Sequence, residues 1–412
     1  MISVGIDVSK EKSMVCIMKP YGEILKSPYE ISHTKEELGE LIRTIKSFTE
    51  ETKVVMEVTG YYHLPVLNTL FENDIFVSVI NALVMKKYAS TSIRKGKTDK
   101  IDSVKIANYA LSYWHELRRY SPRADIYDEL NLLSRQYHQY INMRVKAKVT
   151  LGNLLDKTMP GITGLLRNSS ENPDSDKLYS FAIEYWHFDN VTQKSEKKFV
   201  DSYIKWAKRE GYHRSESKAK TIYALALNAI PSLNSNTPST KMLVLEAVRV
   251  HREIEKTLTV ILTRMQGLAK GLTEYSFVRD MSGVGDKLAP RLIAEIGDVF
   301  RFHSPKALVA FAGIDAPPYQ SGAFTGTRCK ISKRGSKYLR KTGYEVMKVL
   351  KSVKPTSDTA VYDFILKKES EGKSKKSAKI AGLNKFLHIY YARFKEAYLE
   401  ATYVQEHDIV CE

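Results

Sequence analysis

Apolar and polar positions alternate in short runs at the start of the chain. Residues 2–7 and 13–18 are apolar and β-branched, separated by the turn Val8-Ser9-Lys10-Glu11-Lys12, and a third run covers 23–31. This spacing predicts an opening β-meander. The period then changes. Leu38, Leu41, Ile42 and Ile45 fall on one helical stripe within 34–48, with Thr34 as N-cap and Glu37 placed for a capping box. A strand follows over 53–60 and carries Glu57 among apolar neighbours; then come a helix at about 62–73 and a strand at 75–80. Strands alternating with helices after a meander predict an α/β sheet with parallel members.

The middle of the chain has a longer period. Leu130, Leu133, Tyr137, Tyr140, Arg144, Ala147, Leu151 and Leu154 recur at spacings of three and four within 127–156. A second stripe, Leu243, Ala247, Val250, Ile254, Ile261 and Leu268, occupies about 241–270. Two such heptad seams predict an antiparallel arm or a dimer coil, and the core helices of a bundle would show the same pattern. Between them, Arg167–Asp176 and Ser232–Thr240 have loop composition, and 178–186 and 197–209 are helical and rich in aromatics. Those aromatics could stack on bases, but a small helical core accounts for them better.

Charge adds a partner. The 412 residues carry a net charge of +17, which favours a polyanion, above all nucleic acid. The length implies two or three domains. There is no run of about 18 apolar residues, so no membrane span is expected. Three scattered cysteines show no zinc spacing and no disulfide framework, in keeping with a reducing cytoplasm.

The candidate chemistry centres on Lys97-Thr98-Asp99-Lys100-Ile101-Asp102. Aspartates three apart share one helix face. The bases Arg94, Lys95, Lys97, Lys100 and Lys105 surround them. Asp7 ends the first strand and Glu57 sits within another. Clustered carboxylates repel one another unless a cation offsets them, and hard oxygen donors suit Mg²⁺ or Mn²⁺. In the last third, Met281-Ser-Gly283-Val284-Gly285 has the shape of a helix-hairpin-helix, whose glycines let backbone N–H groups approach phosphate. Pro290 is compatible with it if it lies in a first helical turn. From Ser321 to Lys354 ten bases face one acid, Glu345. They include Lys330, Lys333, Arg334, Lys337 and Arg340, a footprint for phosphate.

Asp7 in Gly-Ile-Asp-Val-Ser-Lys, Glu57 in Met-Glu-Val-Thr-Gly and Lys-Thr-Asp99-Lys-Ile-Asp102 together resemble the insertion sequence one-ten transposase family, which includes Piv-type DNA invertases. The hairpin, then Ala-Gly-Ile-Asp-Ala-Pro, Gln-Ser321-Gly and Ile-Ser-Lys-Arg-Gly are similar to that family's second domain. The resemblance covers about 1–150 and 240–400 and leaves the insert outside. It implies an α/β RuvC-like (ribonuclease-H-type) domain over 1–122, a helical coiled-coil arm over 123–272 and a mainly α C-terminal domain with helix-hairpin-helix over 273–412; the helical insert at about 157–240 within the arm follows from composition and periodicity alone.

The resemblance also implies roles. Asp7, Glu57, Asp99 and Asp102 would hold Mg²⁺ or Mn²⁺, and Ser321 would be the nucleophile of a DNA strand exchange. On charge and glycine geometry rather than on the resemblance, Lys95, Lys97, Gly283, Gly285, Lys330, Lys333, Arg334, Lys337 and Arg340 would contact nucleic acid. Expected partners are DNA, a structured guide (bridge) RNA and further copies of the chain in a dimer or tetramer with a composite site. The expected setting is the bacterial or archaeal cytoplasm, at the nucleoid. The rival readings are a RuvC-like nuclease or junction resolvase that uses water and no serine, and a non-enzymatic DNA-binding protein.

Overall fold

The computed structural model describes residues 1–90, 98–121, 124–166, 177–316, 320–321, 324–325 and 330–408, with only the backbone described for 320–321, 324–325 and 399–408. The chain divides into two compact units, Met1–Pro122 and Arg123–Glu412.

In the first unit, β1 (Ile2–Val8), β2 (Lys12–Met18) and β3 (Ile24–Ser32) form the antiparallel meander. Two further strands, β4 (Thr52–Glu57) and β5 (Val77–Ile80), run parallel to β1, giving the order β3-β2-β1-β4-β5. The helices are α1 (Lys35–Lys46), α2 (Leu64–Glu72), α3 (Ala82–Ala89) and α4 (Asp99–Ser112). The unit is therefore α/β, as the alternation predicts. Thr34 caps α1 by accepting from the Glu37 N–H. The Glu37 carboxylate accepts from the Ser32 N–H, so the acid of the expected capping box serves the strand end instead.

Period-two alternation sorts the strand residues between two faces. Ile2, Val4, Ile6, Val8, Val54 and Met56 share one core with Leu38, Leu41, Val66 and Leu67 of α1 and α2. The intervening positions, Ser3, Gly5, Asp7, Val55 and Glu57, face the other way, where Val55 packs with Met85 of α3 and with Ile106 and Ala110 of α4. Gly5 is what lets α4 lie down there. A Cβ at that position would sit 2.4 Å from both Ala107 N and Ser103 O. Those are backbone atoms of a helix and cannot step aside. Gly5→Ala should therefore destabilise the unit by roughly 3 kcal/mol or more, the upper range for overpacking. Thermal unfolding checks it: a variant melting with the wild type would contradict this seat for α4.

The sequence places Glu57 inside a strand. The structure ends β4 at Glu57, and the chain turns at Thr59–His63 through Gly60, whose φ is +54°. Glu57 thus stands at the sheet edge.

Among its described residues, the second unit is helical apart from one small hairpin. It comprises α5 (Asp125–Thr158), α6 (Ile162–Leu166), α7 (Lys177–Tyr185), α8 (Asp189–Thr192), α9 (Glu196–Arg209), α10 (Glu216–Asn228) and α11 (Pro238–Lys270). These are followed by α12 (Tyr275–Asp280), α13 (Gly285–Ile296), α14 (Pro305–Ala312), β6 (Gln320–Ser321), β7 (Phe324–Thr325), α15 (Lys337–Val353), α16 (Ala360–Ser370) and α17 (Lys375–Asp408). Helix α11 begins inside the stretch read as a loop, because Pro238 is well suited to a first helical turn. The Arg167–Asp176 loop lies outside the described residues.

Helices α5 and α11 pack antiparallel. Arg264 reaches Glu129 at 2.6 Å, and Arg144 reaches Glu255 at 3.5 Å, so rising numbers on one helix meet falling numbers on the other. Arg144, the charge that interrupts the seam, is thereby paired. The seam on α11 agrees with the expected one at Ile254, which is buried, and at Ala247, Ile261 and Leu268, which pack against the cores, and departs from it elsewhere. Val244, Val248, Ile254, Leu258 and Met265 are buried, whereas Leu243 and Val250 are 44% and 45% exposed. Two adjacent apolar stripes run along this helix, and the inner one is set by its partner.

Each end of the pair enters a core. At one end Leu151, Leu155, Val244 and Val248 join Phe181, Tyr185, Phe199, Tyr203 and Trp206, all buried. The insert's main aromatics are therefore packing residues. At the other end Tyr127, Leu130, Ile254, Leu258 and Met265 join the core of α12–α17.

Pro290 lies in the interior of α13, not in its first turn. A proline there leaves the carbonyl four residues back without its helical donor. That carbonyl belongs to Asp286, and the Gln266 side chain of α11 donates to it at 3.0 Å. In the preceding turn Gly283 (φ +85°) faces α15: a Cβ would lie 2.9 Å from Leu350 Cβ and 3.0 Å from Val346 O. Gly283 thus serves helix packing, while a Cβ at Gly285 would meet nothing within 4 Å.

Candidate metal centre and serine hairpin

The first unit brings four acids to one end of the sheet. The parallel register that pairs Ile6 with Met56 puts Asp7 and Glu57 at neighbouring positions at the C-terminal ends of β1 and β4. Both occupy the face that α4 covers. The direction of α4 follows from its two ends. Asp99, in its first turn, contributes to the field that, after the hydrogen-bonded Glu30 carboxylate, holds the Lys12 ammonium above its usual range; Lys12 begins β2 beside the end of β1. Past the other end of α4, Trp114 O accepts from Lys53 Nζ at 3.0 Å, at the start of β4. Helix α4 therefore runs opposite to β1 and β4, and its Asp99 and Asp102 lie at the edge occupied by Asp7 and Glu57.

Thr98 caps α4, accepting from the Ile101 N–H at 3.2 Å. Asp99 and Asp102 fall in its first turn, as the three-residue spacing requires. Asp102 pairs with Lys105 at 3.0 Å. Among the described residues, no three His, Cys, Asp or Glu side chains gather as a ready-made metal centre. The donor set suits a hard divalent ion in kind, since all four side chains are carboxylates. Lys95 and Lys97 lie outside the described residues.

Ser321, read as a loop residue, is in the two-residue strand β6, paired with Phe324 of β7. The base of the segment carrying this hairpin is tightly closed. Ser332 N donates to Asp315 O at 2.8 Å, Lys333 N to Gly313 O at 3.0 Å and Ser336 N to Phe311 O at 2.6 Å. The Ser332 hydroxyl also donates to the Asp315 carboxylate. A Cβ at Gly335 would lie 2.3 Å from Phe311 O, so the two segments pack backbone on backbone.

A buried carboxylate anchors the motif that follows. Glu295 of α13 accepts from Ser134 Oγ at 2.9 Å and Ser336 Oγ at 3.2 Å, and pairs with Arg135 at 3.2 Å. Burial pushes its carboxyl upward, while Arg135 and the two hydroxyls oppose that. Ser336 in turn caps α15. Glu295 is not singled out by any sequence motif; an acid flanked by the apolar residues Leu292, Ile293, Ala294 and Ile296 is the signal that could have found it. Lys330, Lys333, Arg334 and Lys337 are exposed. Arg340 donates to Ala312 O at 2.9 Å, which closes the end of α14.

The family model for DEDD transposases of the IS110 type, described as Transposase, matches residues 4–160, and that of the Transposase IS116/IS110/IS902 family matches 275–362. The chain belongs to the IS110 transposase family. The pilin gene-inverting protein of Moraxella bovis is 22% identical over 398 residues, covering 95% of this chain and 95% of that protein. The protein of the same name from Moraxella lacunata matches to the same extent. Among solved structures, T. thermophilus RuvC in complex with a Holliday junction substrate is 14% identical and covers 28% of this transposase and 96% of that chain, with a TM-score of 0.23. The expected insert lies almost wholly between the two matched stretches. As a transposase, the protein is an enzyme of DNA recombination. Among its described residues, no helix is long and apolar enough to cross a membrane.

Proposed function

We propose that this transposase cleaves and exchanges DNA strands using a RuvC-like acidic site and a serine nucleophile, guided by a structured RNA. What supports the reading is that Asp7 and Glu57 stand near the C-terminal ends of neighbouring β1 and β4, while Asp99 and Asp102 lie in the first turn of α4, which packs against that sheet. Those four residues would hold Mg²⁺ or Mn²⁺, and Asp102 would leave Lys105 to do so. The ion would supply charge neutralisation at a scissile phosphate.

Ser321 would attack phosphorus. Its Oγ loses a proton and forms the Oγ–P bond; the P–O bond to the leaving deoxyribose breaks, and that hydroxyl takes a proton. The phosphoserine link keeps the bond energy for rejoining. The tight base formed by Asp315, Ser332 and Gly335 supports this role, because a nucleophile must be held in place. Guide RNA and an oligomeric assembly rest on the family resemblance. The test is incubation with the DNA flanking the protein's own element and co-expressed RNA, followed by a search for strands linked to Ser321. Metal-dependent cleavage that never yields such a link would favour the hydrolytic nuclease.

The exposed bases supply a second test. Neutralising Lys333, Arg334 and Lys337 together should reduce the salt slope of DNA binding by about two to three, at about 0.9 per lost phosphate contact. A slope equal to the wild type's would place these bases off the DNA.

A further inference from the structure

The acidic edge is also where the first unit exposes apolar surface. Among its described residues, eleven large apolar or aromatic side chains are exposed. Six of them are at this edge: Val58, Tyr61, Tyr62, Leu83, Val84 and Ile101. They come from three places that the topology brings together: the turn after β4, the first turn of α3 directly after β5, and the first turn of α4. Tyr61 is 66% exposed and Tyr62 45%.

Their backbone is firmly held. Tyr62 N donates to Thr59 O at 3.0 Å, Leu64 N to Tyr61 O at 3.2 Å and Leu67 N to His63 O at 2.9 Å. His63 is buried beneath the turn. Two rings kept in water on a hydrogen-bonded turn, a few residues from Glu57, forgo the burial that aromatics usually gain. One exposed base, Lys100, is at this edge in the first turn of α4, while Lys86 and Lys87 lie in the last turn of α3, away from it. A cation beside exposed aromatics suits a single strand, the cation meeting phosphate and the rings meeting bases. In a duplex the base faces are already stacked, so a tyrosine platform can use only bases that are out of the helix.

We propose that Tyr61 and Tyr62 form a stacking platform for unpaired bases of the DNA strand beside the phosphate presented to Asp7, Glu57, Asp99 and Asp102. The platform opens the duplex locally at the cleavage point by giving unstacked bases a surface. It rests on the reading of this edge as the cleavage site.

The test uses the full-length protein with chelator present, so that binding is read apart from cleavage. Fluorescence anisotropy follows a labelled short oligothymidylate, an abasic strand of the same length and a duplex. Joint Tyr61→Ala and Tyr62→Ala substitution should weaken oligothymidylate binding roughly tenfold or more. Abasic-strand and duplex binding should stay within about twofold, because phosphate contacts are untouched. Joint Tyr61→Phe and Tyr62→Phe substitution should bind like the wild type, since the ring is kept. Equal losses on all three ligands, no loss on oligothymidylate, or phenylalanine variants as weak as the alanine ones would each overturn the platform. Failure of the underlying reading shows separately, as normal metal-dependent cleavage by Asp99→Asn protein.

Discussion

Ser321→Ala protein should form no covalent link to DNA and should lose recombination by roughly a thousandfold or more, the scale on which nucleophile deletions act. Its DNA binding stays near wild type, because the acids and the exposed bases are untouched. Denaturing gel electrophoresis of protein bound to end-labelled DNA reads the link directly. The small hairpin makes the experiment clean. Ser321 pairs through its backbone with Phe324, and alanine keeps that pairing. Ser321→Cys should retain traces, since a thiolate can attack phosphorus but differs in geometry and as a leaving group. A hydrolytic RuvC-like nuclease predicts the opposite: Ser321→Ala cleaves normally and no link forms in any variant.

Asp99→Asn and Glu57→Gln should each abolish strand cleavage while leaving nucleic-acid affinity within a few-fold of wild type. Both substitutions keep shape and remove charge. The expected loss is again roughly a thousandfold or more, because a carboxamide cannot offset a divalent charge and the transition state loses its electrostatic support. The two residues come from different elements, β4 and α4, so a common defect reports the shared edge and not a local fault of either element. Isothermal titration with Mn²⁺ gives a second reading, in which each variant should bind the ion more weakly. Normal cleavage by both variants would remove the metal-site reading.

The first unit was legible because its signals are local. Strand runs of alternating β-branched residues, the Thr34 and Thr98 caps and the Asp99–Asp102 spacing each act within one turn or one strand. What escaped depends on partners distant in sequence. On α11 the choice between the Leu243–Val250 stripe and the Val244–Val248 stripe is made by α5, which composition does not reveal. Pro290 is tolerated in mid-helix because of Gln266, on a different helix. The packing of Gly283 against α15, more than sixty residues on, is likewise invisible in the local sequence. For the site, residue types and faces could be read from spacing. Sheet register and the direction of α4, which put all four acids at one edge, required the fold.

The α5–α11 pair behaves as a strut of set length. Its 34- and 33-residue helices span about 50 Å at 1.5 Å per residue, with a core at each end. Its register is keyed by Glu129–Arg264 and Arg144–Glu255, so sliding one helix along the other separates both pairs. Length changes must therefore come matched. Removing one heptad from each helix between the cores shortens the strut and leaves both ends correctly faced, whereas removing a single residue from one helix turns everything beyond it by about 100°. Insertions and deletions along this stretch of the gene are thus constrained in pairs, although the two helices are encoded about a hundred codons apart.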